Sequence, residues 1–213
     1  LEATITGGTN LTIEIPLVDD IQNTNITNDA PEVFPLGETI VTWTATDSSG
    51  NSASATQTIT VVDTTSPVLI APESLEIEAQ GITTNIEDFG DIIAEDISGI
   101  ASITNDAPEV FPLGETIVTW TATDDYENSI SNTQSIVIID TTSPTIVAPS
   151  DLQIEAIHIE QNIVDLTGVR VSDQVEVSSI TNDAPEVFPL GETIVTWTAT
   201  DSSGNSASAT QTI

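Results

Sequence analysis

The sequence predicts an all-β protein built as a tandem of sandwich modules, and three observations carry that expectation. The segment ITNDAPEVFPLGETIVTWTATD recurs verbatim at 26–47, 103–124 and 180–201, a constant offset of 77 residues. A period of that length exceeds a solenoid rung and approaches a small domain, so each copy is expected to fold around its own core. Within each copy apolar and polar residues alternate. Val41, Trp43 and Ala45 fall on one face and Thr42, Thr44 and Thr46 on the other, the period-two pattern of a half-buried strand. Finally, β-branched Thr, Val and Ile dominate while good helix formers are sparse outside short acidic stretches.

The elements follow in order. After the strand ending at Thr46, Asp47-Ser48-Ser49-Gly50-Asn51 offers Gly and Asn where a hairpin needs positive φ. Alternation then resumes over 52–63 with Ala53, Ala55, Ile59 and Val61 inward. Read from Thr64, one whole module is expected to hold strands at 68–71, 75–79, 82–86, 99–104, 109–111, 116–124 and 129–139. Seven short strands suggest a sandwich. Pro67, Pro72, Pro108 and Pro112 fall at strand ends or edges, where a missing N–H costs least. The phrase Asp-Thr-Thr-Ser-Pro at 63–67 and 140–144 joins one copy to the next as a short, stiff linker. Seven strands bring the chain in at one end and out at the other, which predicts domains arranged head to tail. The expected domains are 1–63, lacking its first strand, 64–140, complete, and 141–213, lacking the end of its last strand. Such ends fit a window cut from a longer array, or a subunit completed by donated strands.

Composition limits the partners. Thirty-four Asp and Glu stand against one basic residue, Arg170, for a net charge of −33. A phosphate backbone needs clustered Lys and Arg, so nucleic acid is excluded, and an anionic membrane face would be repelled. Cations are the natural partners, because self-repulsion of this size opposes compaction unless salt or divalent ions offset it. There is no cysteine to form a disulfide. The apolar runs, such as Ile136–Ile139, are too short to span a bilayer, and Leu1 opens no leader, so a signal or anchor is expected outside these residues. Asn10-Leu11-Thr12 and Asn25-Ile26-Thr27 are sequons that permit glycosylation of an exported chain.

The order Asp-Thr-Thr-Ser-Pro, then Ala-Pro with an acidic strand, then Phe-Pro-Leu-Gly-Glu-Thr-x-Val-Thr-x-Thr-Ala-Thr-Asp-x-x-Gly-Asn resembles the hyalin repeat family, with Phe34–Asn51 carrying the second half. The resemblance covers essentially the whole chain as three copies. It implies immunoglobulin-like β-sandwiches, a role in adhesion or extracellular scaffolding, and no catalysis. Similar low-basic arrays look like archaeal or bacterial cell-surface proteins. The chain departs from animal versions that often place a cysteine where Ala55, Asn132 and Ala209 stand. It departs again in the middle hairpin, Asp124-Asp125-Tyr126-Glu127-Asn128, which loses the glycine and gains two acids.

The candidate site is a carboxylate cluster at each linker. Asp63 closes one copy, while Asp96 and Asp124 lie in two loops of the next copy that share the end where the chain enters. The set recurs as Asp140, Asp173 and Asp201, and the first copy keeps Asp19 and Asp47 in register. Converging carboxylates repel unless a hard cation sits between them, and Ca²⁺ accepts six to eight oxygens with tolerant geometry. Asp125, Glu78 and Glu155 are candidates to supplement the shell. The plainer alternative is that each Asp caps its own turn and the junction is solvated.

Other constellations are weaker. Asp47–Asn51 echoes a calcium loop but lacks the closing bidentate Glu, so it reads as a turn. Trp43, Trp120 and Trp197 read as inward core anchors rather than carbohydrate platforms, and Phe34, Phe111 and Phe188 likewise. His158, alone of its type, reads as a strand residue without a second His or any Cys for zinc and without a nucleophile motif beside it. Paired carboxylates alone do not make a glycosidase, so no enzyme is expected. The expected role is a structural repeat segment of an extracellular surface filament, layer or adhesin stalk, stiffened by Ca²⁺ and partnered by like modules. The second reading is a glycan- or protein-binding adhesion module that uses the variable stretches 82–98 and 161–177.

Overall fold

The computed structural model describes residues 1–19, 24–157, 159 and 162–213. His158 and Gln161, the first residue of the second variable stretch, lie outside the described residues. Among the described residues every regular element is a strand. The chain is all-β, as the alternation predicts, and forms two compact units. The first comprises Leu1–Pro72, Asp91–Asp106 and Thr119–Thr133, the second Glu73–Gly90, Ala107–Val118 and Gln134–Ile213.

In the first unit the repeated segment supplies a long strand, Gly37–Thr46, that pairs antiparallel with Asn25–Asn28 on one side and Ser52–Val61 on the other. Its alternation buries one face: Val41 and Trp43 join Phe34, Ile59, Val61 and Ala3 in a core that Leu11, Ile13, Ile26 and Leu36 partly cover. Fully burying Phe34 contributes about 1.5–3 kcal/mol. The Trp43 indole N–H donates to Gln57 Oε1 at 3.0 Å, so its polar edge is satisfied beside the core. Val68–Ile70 pairs with Ile93–Glu95, and Ile100–Asn105 pairs with the Asp124 end of the strand Gly114–Asp124.

The second unit repeats the plan. Ile194–Asp201 lies between Val177–Asn182 and Ser206–Thr212, burying Phe188, Val195 and Trp197. Thr145–Val147 pairs with Arg170–Ser172, and Leu75–Glu78 runs parallel to Ile136–Ile139. Buried Gln134 donates to the carbonyls of Glu73 at 2.7 Å and Phe89 at 2.9 Å, and Gln211 donates to that of Ser150 at 2.8 Å. These are polar pegs in an apolar layer, each tying the closing strand to the loop that opens its module.

Most expected strands are present, with shifted ends. The stretch 82–86 shortens to a two-residue pairing of Thr83–Thr84 with Phe111–Pro112. Ile93–Glu95, between the expected strands at 82–86 and 99–104, is an additional strand. The Trp and Phe residues read as core anchors are buried in all three copies. Even the acids of the verbatim segment have local work: Asp29, Asp106 and Asp183 each accept from the backbone N–H of Thr42, Thr119 or Thr196 at 2.6 Å.

Two irregularities position the site. The ladder between Ile100–Asn105 and its partner slips between Ile100 and Ser102, and the same slip recurs between Val177 and Ser179. A bulge at that place re-aims the strand end, and it directly follows the loops that carry Asp96 and Asp173. The second irregularity is the middle hairpin. Gly50 and Gly204 adopt φ of 89° and 93°, and Glu127 takes the corresponding place with φ of 69°. The turn therefore keeps its shape without its glycine, at a backbone cost of about 1–2 kcal/mol for a side chain in the left-handed region.

Candidate metal centre

Each long hairpin ends in the same local device. Asp124 accepts from the backbone N–H groups of Tyr126 and Asn128 at 2.8 and 2.9 Å through Oδ1, and from the Asn128 amide at 2.8 Å through Oδ2. Asp201 does the same with Ser203 and Asn205. Burial raises the Asp201 pKa, yet hydrogen bonds from Asn205 outweigh it and hold the carboxyl below its usual value. Asp124 is 1% exposed and Asp201 2%, so both turns present a fixed carboxylate at a closed place.

The Asn amide has a second task. Asn128 also donates to the Asp63 carbonyl at 3.1 Å, and Asn205 to the Asp140 carbonyl at 3.0 Å. The linker is thereby fastened to the hairpin at the residue whose side chain completes the cluster. Carboxylate oxygens of Asp63, Asp96 and Asp124 lie within 4.8 Å of one another, and so do those of Asp140, Asp173 and Asp201. At such separations each pair of charges repels by about 3 kcal/mol in an effective dielectric near 20.

Asp63 is 5% exposed. Hydrogen bonding, from the Ser98 side chain first and then the Thr65 amide at 3.0 Å, outweighs burial and holds its pKa below the usual carboxylate value. The group is thus an anion in a closed place, yet its Oδ2 has no hydrogen-bond partner. In the other cluster Asp173 Oδ2 is in the same condition. Buried carboxylate oxygens are normally paired, and an orphan within a triad of acids fits a cation ligand. The donor set is all oxygen, which suits a hard cation and not a thiophilic metal.

Residues outside the triads sort differently. Glu78, a candidate for the shell, accepts from Thr141 N at 2.8 Å, Thr141 Oγ1 at 2.9 Å and Thr142 Oγ1 at 2.8 Å, so it clamps the linker threonines. Those bonds hold its carboxyl below the usual range, the Thr141 amide first. Glu2 makes the same clamp on Thr64 and Thr65. Glu155 is exposed, as are Asp19 and Asp125. Neither Asp19, Asp47 nor Asp125 belongs to a three-acid group among the described residues. Asp47 caps its own hairpin through Ser49 and Asn51.

The Asn clamp is not among the residues expected from sequence, and Glu78, expected as a ligand, acts instead as a clamp. A signal was present: Asn stands four residues after Asp47, Asp124 and Asp201 alike, and survives in the middle hairpin where the glycine does not.

These features define a tandem β-sandwich repeat with acidic clusters at its linkers. The HYR domain family matches residues 6–61 and 139–213, and the chain belongs to that family. An extracellular, cell-surface location, which the resemblance implies, agrees with the hyalin relatives. The chain is 38% identical over 213 residues to hyalin of Strongylocentrotus purpuratus and 37% identical over 205 residues to hyalin of Lytechinus variegatus. Those matches cover 89% and 88% of this chain but only 17% and 38% of the two relatives. Among solved structures, mouse cadherin-23 EC22-24 matches with a TM-score of 0.37 at 15% identity, covering 100% of this chain and 93% of that one. Drosophila N-cadherin EC1-4 gives 0.36 at 14%, covering 100% and 71%. Likeness at that level informs neither function nor site. The archaeal or bacterial origin expected from composition finds no support in these relatives, which are sea urchin proteins. Among the described residues no helix is long and apolar enough to cross a membrane.

Proposed function

We propose that the chain is a non-catalytic structural segment of an extracellular surface filament, layer or adhesin stalk. Its three repeats, 1–63, 64–140 and 141–213, are made stiff by Ca²⁺ held at Asp63, Asp96 and Asp124 and at Asp140, Asp173 and Asp201. The observation that carries this reading is the unpartnered Oδ2 of buried Asp63 within a triad of carboxylates. A divalent cation there removes the mutual repulsion and ties the linker to two loops of the following repeat. Reach and stiffness are then the function, and like modules of the same or neighbouring chains are the partners. A prokaryotic surface setting rests on composition alone, one basic residue against thirty-four acids.

Exposed Ile82 and Ile93 in the variable stretch 82–98 favour a second reading, recognition of a glycan or surface protein by that loop. The same stretch, however, supplies Asp96 to the cluster and packs Phe89 on Phe111, with ring centroids 6.1 Å apart.

Chelation at fixed sodium chloride tests the first reading. The melting temperature is expected to fall and small-angle scattering to report a more flexible chain, both reversed by calcium. Recovery with any salt would instead assign the charge to general solvation. A glycan array probed with the whole chain tests the second.

A further inference from the structure

Resting on that reading of the two triads as cation sites, their surroundings differ in a way that bears on affinity. Exposed acids flank the first triad at Glu95, Asp125 (beside Gly99) and Glu127, where the second has Ser172, Ser202 and Gly204 and gains only Glu176, whose carbonyl accepts from Ser202 N. Charge therefore favours the first site for a cation. Enclosure separates them further. Next to Asp96, Ile97 packs against the apolar core built by Phe34, Val41 and Trp43. The residue at the same place in the second site is Gln174, which is exposed and lines an open cavity of about 300 Å³ with Thr142, Ser143, Thr145, Ser172 and Asp173.

The linker acids follow suit. Asp63 is buried, whereas Asp140 is half-exposed and already accepts the Ser203 hydroxyl on Oδ2 at 2.8 Å. Tyr126 replaces Ser203 at the first site. Asp96 is also better braced, accepting both the amide and the hydroxyl of Ser98 at 2.8 Å, where Asp173 accepts the Val175 amide alone among the described residues. Rigid, water-poor oxygen cages bind Ca²⁺ more tightly than open ones of equal charge, because fewer waters remain on the ion and less ordering occurs on binding.

We propose that the two triads are unequal. The Asp63–Asp96–Asp124 site takes a largely dehydrated Ca²⁺ and fills first, while the Asp140–Asp173–Asp201 site keeps water on the ion and fills at about tenfold or higher calcium. Between those concentrations one linker is locked and the other is free, so stiffness along the chain rises in steps.

Calorimetric titration of the whole chain with calcium chloride in fixed sodium chloride reads this directly. Two steps are expected, the tighter one lost in Asp96→Asn and the weaker one lost in Asp173→Asn. In Gln174→Ile the weaker step should move toward the tighter. Terbium luminescence lifetimes in H₂O and D₂O should count fewer bound waters at the tighter site. Two indistinguishable steps in the unaltered chain, or a tighter step that vanishes with Asp173→Asn, would overturn the inequality while leaving cation binding intact. No binding above a sodium chloride blank would remove the reading on which it rests.

Discussion

The hairpins at Asp47–Asn51 and Asp201–Asn205 have the same five residues and the same hydrogen bonds, yet one carboxylate is half-exposed and the other 2% exposed. The turn is therefore a local product: Asp and Gly close it without help. What differs is company. Asp201 meets Asp140 from the linker and Asp173 from a loop, whereas Asp47 belongs to no three-acid group among the described residues. The same turn is a plain cap in one place and a candidate ligand in the other, so the site is made by the linker rather than by the hairpin.

The largest expected effect separates those two roles. Replacing Asp124 by Ala removes three charge-assisted hydrogen bonds and a cluster oxygen, and should cost roughly 2–4 kcal/mol in calcium by urea unfolding. Asp47→Ala removes only the cap, so its smaller effect should be the same with calcium or chelator. Equal calcium dependence of the two variants would break the comparison.

Next comes the linker clamp. Glu78 and Asp201 are held below their usual pKa values, so the stability they contribute is complete above the unfolded values and lost as pH falls through the folded ones. The difference in melting temperature between the unaltered chain and Glu78→Gln should be steady at neutral pH and shrink toward zero below about pH 4. A gap that widens on acidification would contradict the clamp. The smallest effect concerns the middle turn: Glu127→Gly should stabilise by about 0.5–1 kcal/mol, relief of the left-handed backbone being partly offset by a more flexible unfolded chain.

These contrasts also show what was legible in the chain. The all-β class, the long hairpin strands and the inward Trp43, Trp120 and Trp197 could be read because alternation is local. Asp96 and Asp173 could be picked out because they recur inside stretches that otherwise diverge, and the structure brings each beside its two expected companions. The strand Ile93–Glu95 was not legible, since its short apolar run lacks a pattern and its pairing with Val68–Ile70 is supplied by the fold. Nor was the contrast of Ile97 with Gln174, which acquires meaning only from the core that one touches and the cavity that the other lines. Spacing places Glu78 near the linker and makes it a candidate ligand, but only geometry shows it facing the threonines.

Crystals of the chain grown in calcium, with anomalous scattering collected at long wavelength, test the central claim most directly. The account predicts a peak within 2.3–2.6 Å of oxygens from Asp63, Asp96 and Asp124, with Asp63 Oδ2 among the ligands. A water or an empty space between those carboxylates at saturating calcium would contradict it.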